Sequence, residues 1–186
     1  MNRTFFCLSL VLSGCAGLAP APVAPRHPSS GAARDAQGNR FVSEVLQTSE
    51  DAVIEIRKVD PAGRLVWTRT ANGGALSDPG HGLAVDRDGN LFVAWTVRAG
   101  DGLADVWVRK FDADGDVAWT ATWDGPAHGA DFAEAVDTSC DGTVVVSGRS
   151  YAGHGRFAPF AGRFDAAGHA AGDVGVLACA SEPGVQ

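Results

Sequence analysis

An internal repeat of about 52 residues constrains this chain more than any other feature. Residues 52–70 read AVIEIRKVDPAGRLVWTRT, and residues 105–123 read DVWVRKFDADGDVAWTATW. A third, more divergent version occupies residues 156–174, where Gly172 stands at the position of Trp119. Six residues of the first version recur 52 positions later in the second: Arg57, Lys58, Asp60, Gly63, Trp67 and Thr68. A period of this length predicts supersecondary units that pack against their neighbours in series.

Each copy also has a first half, and a specific turn sequence recurs in both halves. The first halves are residues 31–45, 82–96 and 133–150. Asp-x-x-Gly predicts a tight hairpin, because the Asp side chain caps its own turn and the Gly accepts a positive φ. The pattern occurs at Asp35–Gly38, Asp60–Gly63, Asp86–Gly89, Asp112–Gly115 and Asp165–Gly168. Each copy is therefore predicted to form four strands joined into one antiparallel sheet.

The composition of the strands predicts how these sheets pack. LFVAW (91–95) and TVVVSG (143–148) are almost continuously apolar, which is typical of a strand covered on both faces. No stretch after residue 14 has a sustained helical period. We therefore predict an all-β protein in which repeated sheets stack face to face around an axis, as in a propeller.

The repeats resemble those of a known family. The succession D-x-W-V-R-K-F-D-A-D-G-D-V-A-W, G-A-D-F-A-E-A-V-D and D-G-T-V-V-V-S-G is similar to the seven-bladed type of β-propeller repeat in bacterial secreted proteins and lipoproteins. The half-repeat V-R-K-F-D-x-x-G-x-x-x-W is also similar to quinoprotein-like propellers, including an outer-membrane assembly lipoprotein. The resemblance implies three tandem four-stranded blades, at about residues 31–75, 82–126 and 131–177.

Three blades would make an incomplete, open ring, since closed propellers have about four to eight. An uncovered apolar sheet is expected at each end of such an arc. The ring would then be closed by self-association or by a partner, or the chain would be a shortened remnant of a longer propeller. Gly172 in place of Trp, and Pro159 where the pattern has Val106, favour some decay of the third copy.

The N-terminus predicts export and lipidation. Arg3 and the apolar stretch 5–13 have the form of a signal peptide over residues 1–14. Leu12-Ser13-Gly14-Cys15 resembles the lipobox of bacterial lipoproteins, which implies acylation of Cys15 and, with Ala16 following, the outer membrane of a Gram-negative bacterium. The alternative is ordinary cleavage near Ala16 or Ala19. If Cys15 is acylated, residues 15–30 form a lipidated, Pro/Ala-rich tether ahead of a repeat domain at 31–186.

The other predicted sites come from acidic residues and cysteines. Asp112, Asp114 and Asp116 form D-x-D-G-D, a carboxylate cluster of the kind that binds calcium, although the other copies lack the second and third acids, which favours a structural turn. Cys140 and Cys179 form an even pair in an oxidising compartment. They are predicted at opposite ends of a strand spanning about 17 Å, so a disulfide, which needs Cα atoms within about 7 Å, would require the C-terminal tail to fold back.

Charge and motif content separate the candidate functions. The formal net charge is -7, which argues against a nucleic-acid partner. The histidines lack metal-ligand spacing, and His81 and His128 are predicted in loops between sheets. No cofactor is predicted. The leading hypothesis is a membrane-anchored, non-catalytic interaction or scaffold module that binds protein or glycan through its loops. The alternatives are a quinoprotein-like assembly factor or cofactor enzyme fragment, and a non-functional remnant.

Overall fold

The computed structural model describes residues 31–47, 52–71, 76–98, 103–139 and 141–171, and these ranges form strands and turns with no helix. No segment within them is a helix long and apolar enough to cross a bilayer. The signal peptide, Cys15, Cys140 and Cys179 lie outside the described residues. The strands are β1 (Ala32–Arg34), β2 (Arg40–Gln47), β3 (Ala52–Val59), β4 (Leu65–Ala71), β5 (Leu76–Val85), β6 (Leu91–Arg98), β7 (Ala104–Phe111), β8 (Val117–Trp123), β9 (Asp131–Thr138), β10 (Val144–Tyr151) and β11 (Phe157–Phe164).

The strands form three separate antiparallel sheets, one for each copy of the repeat. The first sheet has the order β1-β2-β3-β4, the middle sheet β5-β6-β7-β8, and the third sheet β9-β10-β11. The prediction of four-stranded meanders is confirmed for the first two copies. The fourth strand predicted for the third copy falls on residues that the structure does not describe, beyond an isolated bridge between Phe164 and Ala170.

The Asp-x-x-Gly sequences close the hairpins as predicted. In the β3–β4 turn, Asp60 Oδ1 accepts hydrogen bonds from the backbone N–H groups of Ala62 and Arg64, each at 2.9 Å. Gly63 has a φ of 83°, in the left-handed region that glycine enters without steric penalty. The same φ region recurs at the glycines of the other four turns, Gly38, Gly89, Gly115 and Gly168.

Strand β6 contributes to two cores at once, because both faces of the middle sheet are covered. Leu91, Val93, Trp95 and Val97 pack against the first sheet, where they meet Phe41, Ile54, Ile56 and Trp67. The alternate residues of β6, Phe92 and Ala94, pack against Val144, Val146 and Phe164 of the third sheet. The prediction that this apolar strand is buried on both faces is confirmed, and the middle sheet lies between the other two.

A tryptophan from each of the first two sheets contacts the β-turn of the next sheet. Trp67 Nε1–H donates to the carbonyl of Ala113 at 3.3 Å, and Trp119 Nε1–H donates to the carbonyl of Ala166 at 3.0 Å. The Trp67 indole lies beside Gly115, where a Cβ atom would come within 3.0 Å of the ring. These paired contacts set the register of one sheet against the next, which explains why Trp and Gly recur together.

Two expectations are corrected by the structure. His81 lies within β5, opposite Trp95, and not in a loop, because this strand extends back to Leu76 through an irregular register. The second correction concerns the end sheets, which were expected to present apolar surfaces. At the centre of the outward face of the first sheet, Arg57 pairs with Glu44 at 2.5 Å and with Glu55. On the third sheet, Arg149 pairs with Glu134 at 2.6 Å.

Candidate binding cleft

An open cleft lies between the middle and third sheets, at the rim opposite the Asp-x-x-Gly turns. It has a volume of about 410 Å³ and is bounded by the end of β8, the loop that follows it, and the β10–β11 hairpin. Its lining is aromatic, proline and alanine side chains with a single serine: Trp123, Pro126, Ala127, Ser150, Tyr151, Ala152, Ala158, Pro159 and Phe160. The cleft therefore offers mainly apolar contact surface.

The wall of the cleft is an aromatic pair that joins the two sheets. The rings of Trp123, at the end of β8, and Phe160, in β11, are stacked with centroids 3.9 Å apart and an interplanar angle of 11°. Gly162 makes room for this pair, because a Cβ atom there would lie 3.1 Å from the indole. The ring of Tyr151 is further fixed by an edge contact with Phe157 at 5.9 Å. Aromatic rings held in this way provide rigid surfaces for a ligand.

The position of the loop that forms one side of the cleft depends on Asp131. This carboxylate is fully buried; its Oδ2 accepts from the backbone N–H of Gly125 at 2.7 Å and its Oδ1 from that of Tyr151 at 3.3 Å. Gly129 also packs against the Tyr151 ring, where no Cβ atom would fit. Asp131 thus fastens residues 124–130, including Pro126 and Ala127, to the end of β10.

Three carboxylates lie close together at this rim of the molecule. Oxygen atoms of Asp105, Asp124 and Asp131 lie within 4.8 Å of one another, and Asp124 precedes Pro126 of the cleft by two residues. Asp124 Oδ2 is 2.6 Å from Nδ1 of His128, and this hydrogen bond together with the carboxylate charge raises the pKa of His128. A cation that comes within reach of these carboxylates would be attracted to them.

The calcium candidate lies at the other rim. Asp112 Oδ1 accepts from the backbone N–H groups of Asp114 and Asp116, at 3.0 and 2.9 Å, so it acts as the cap of the β7–β8 turn. Asp116 also pairs with Arg69 of the first sheet at 3.5 Å. The structure does not bring these three acids to the cleft, and calcium binding there stays a prediction. Lipidation of Cys15 and a bridge between Cys140 and Cys179 fall on residues outside the described ranges.

Sequence reasoning did not identify the cleft. In the sequence, Trp67, Trp119 and Trp123 are candidates for a ligand-stacking platform, but aromatics that recur with the repeat favour packing between sheets. Trp123 does pack between sheets and also lines the cleft, which the repeat pattern does not show. One signal was present, since Pro159 interrupts the third copy where the second has Val106. Pro159 lines the cleft, so this departure from the repeat pattern falls on the cleft wall.

No protein-family model matches this chain, and no curated protein is significantly similar to it in sequence.

Proposed function

We propose that the protein is a lipoprotein of the cell envelope, anchored through Cys15, whose repeat domain is a non-catalytic binding module. In this proposal the three sheets are successive blades of an open, propeller-type array. The resemblance of the repeats and the face-to-face packing of the sheets support the arrangement. The function rests on one observation, which is the aromatic cleft between the middle and third sheets.

The chemistry of the cleft favours a polypeptide ligand over a glycan. Stacked rings at Trp123 and Phe160, with Pro126 and Pro159 beside them, give a rigid apolar surface. A glycan would need several convergent hydrogen-bonding groups, whereas Ser150, the single serine of the lining, is buried. Aromatic-lined grooves of this kind suit proline-rich segments, because a polyproline II helix is already extended and loses little entropy on binding.

Binding of a decaproline peptide to the full-length protein, measured by titration calorimetry, tests this proposal. We expect saturable binding that is weakened by about tenfold or more in Ala127→Arg, which places a large charged side chain in the exposed cleft wall. Ala62→Arg is the matched control, because Ala62 is equally exposed in the β3–β4 turn at the opposite rim. No saturable binding, or equal weakening by both substitutions, would contradict the cleft as the binding surface.

The anchoring part of the proposal has a separate test. Cells fed radioactive palmitate are expected to label the wild-type protein, and Cys15→Ala is expected to remove the label, because the acylated cysteine becomes the new N-terminus in such lipoproteins. Cys7→Ala, within the predicted signal peptide, is the matched control and should leave labelling intact. Label that survives in Cys15→Ala would overturn the anchor without affecting the cleft.

A further inference from the structure

We infer that the cleft binds the chain's own proline-rich segment, residues 20–28, so that tether and repeat domain form an intramolecular contact. The inference rests on the proposed function of the cleft and names its ligand. The segment reads PAPVAPRHP and belongs to the stretch that links Cys15 to the first sheet.

The composition of the segment matches the surface of the cleft. Four of its nine residues are proline, and the remaining apolar residues are two alanines and Val23. Such a sequence favours the polyproline II conformation, with about 3.1 Å per residue. The side chains that it presents are short and apolar, and they suit the rings of Trp123, Tyr151 and Phe160.

Charge complementarity supports the same assignment. Between residues 16 and 30 the chain contains no Asp or Glu, and Arg26 is its one permanent positive charge. The rim beside the cleft carries the carboxylates of Asp105, Asp124 and Asp131. Arg26 approaching this group would gain attraction and would fix the direction in which the segment lies.

The path from the first sheet to the cleft is compatible with this direction. Gly31, which precedes β1, lies against Leu83 of β5, and Gly82 of β5 lies against Val136 of β9. The first strands of the three sheets therefore follow one another in space, and two sheet separations amount to about 20 Å. From Gly31 back to Arg26 is five residues, or about 16 Å as polyproline II, and the long Arg26 side chain extends this reach toward the carboxylates. Since Asp131 begins β9, Arg26 meets the carboxylates first, and the prolines before it reach the cleft beyond.

Competition between the tether and a free peptide tests the inference. The probe is the synthetic peptide PAPVAPRHP, titrated into the purified full-length protein and into a variant with Pro20, Pro22, Pro25 and Pro28 replaced by Ser. A tethered ligand has an effective concentration in the millimolar range, so a peptide with a Kd of about 0.1 mM should bind the natural protein about tenfold more weakly than the variant. Ala127→Arg in the proline-free variant should abolish binding, and an Arg26→Ala peptide should bind more weakly and with less dependence on salt.

The possible outcomes distinguish failure of the intramolecular contact from failure of the proposed function of the cleft. Equal affinity of PAPVAPRHP for the natural protein and the proline-free variant would overturn docking of the tether. If decaproline binds the variant but PAPVAPRHP does not, the self-contact is wrong and the cleft remains a binding surface. If neither peptide binds either protein, both the inference and the proposed function fail.

Discussion

Equivalent glycines of the repeat are required for different physical reasons. Gly63 and Gly115 occupy the same turn position, with φ angles of 83° and 87°. A Cβ atom at Gly115 would come within 3.0 Å of the Trp67 indole, whereas one at Gly63 would meet nothing within 4 Å. Backbone conformation explains both residues, but contact with the preceding sheet constrains Gly115 alone. Comparing substitutions at Gly63 and Gly115 therefore separates the contribution of turn conformation to stability from the contribution of packing between sheets.

Gly115→Ala is expected to destabilise the protein more than Gly63→Ala. Both substitutions place a Cβ atom in the left-handed region, at about 1–2 kcal/mol, and only Gly115→Ala also displaces the Trp67 ring, which adds about 1–3 kcal/mol of overpacking. Equilibrium unfolding in urea gives the free energy of unfolding of each variant. Equal losses in the two variants would show that Trp67 does not constrain this turn.

The sequence predicts the structural role of a residue best when that role depends only on its near neighbours in the chain. The aspartates and glycines of the turns act within four residues of themselves, so their pattern was sufficient. Glu44 and Glu55 were harder to interpret, because their meaning depends on which face of the first sheet has no neighbour. They stand where the middle sheet has Trp95 and Trp107, 51 and 52 positions later. The exchange of Trp for Glu is the signal that the outward face is solvated.

At the scale of elements, the loop at residues 124–130 depends on two carboxylates with different roles. Asp131 is buried and holds the loop through Gly125 and Tyr151. Asp124 is on the surface and pairs with His128, whose own φ of 46° places it in the left-handed region. The first interaction sets the position of the loop, and the second makes its conformation sensitive to pH.

The pH dependence of this loop follows from the raised pKa of His128. A folded-state pKa above the unfolded value of about 6.5 gives a contribution to stability that is complete below that value and is lost as the pH rises through the folded pKa. We expect NMR titration of the His128 ring to report a pKa above its ordinary value and to lose most of the increase in Asp124→Asn. Glu134→Gln, which alters a carboxylate of another ion pair, is the control. An unchanged His128 titration in Asp124→Asn would exclude the Asp124 hydrogen bond as the cause.

The strands were more predictable than the surfaces between them. Apolar runs and turn residues predict the strand pairs that the structure describes in each copy, since both act over short separations. The extension of β5 back to Leu76 was missed, because its pairing with β6 is irregular between Leu76 and His81. The cleft is not predictable from the sequence for a related reason. Trp123 and Phe160 are 37 residues apart and belong to different sheets, and their stacking depends on how those sheets are placed.

For the whole molecule, the charged pairs on the two end sheets bear on its state of association. Terminal repeats of stacked arrays need a polar outer face to stay soluble. The Arg57 pairs with Glu44 and Glu55 provide such a face on the first sheet, and the pair between Arg149 and Glu134 lies on the third. Burying these charges in a contact between copies would require their desolvation, which costs free energy. We therefore expect a monomer rather than a ring closed by two copies.

Placing the tryptophans of the middle sheet at the equivalent positions of the first sheet should make the protein self-associate. Glu44→Trp combined with Glu55→Trp copies the arrangement of Trp95 and Trp107, which bury their rings against a neighbouring sheet. The double variant would expose an aromatic surface with an unpaired Arg57, so we expect it to self-associate in sedimentation equilibrium while the natural protein remains monomeric. Arg87→Trp with Asp88→Trp is the matched control, because it adds two tryptophans to an exposed turn away from the end face, and it should stay monomeric. A natural protein that sediments as a dimer would show that the charged faces pair between copies, and a double variant that stays monomeric would show that the glutamates are not what keeps the stack open.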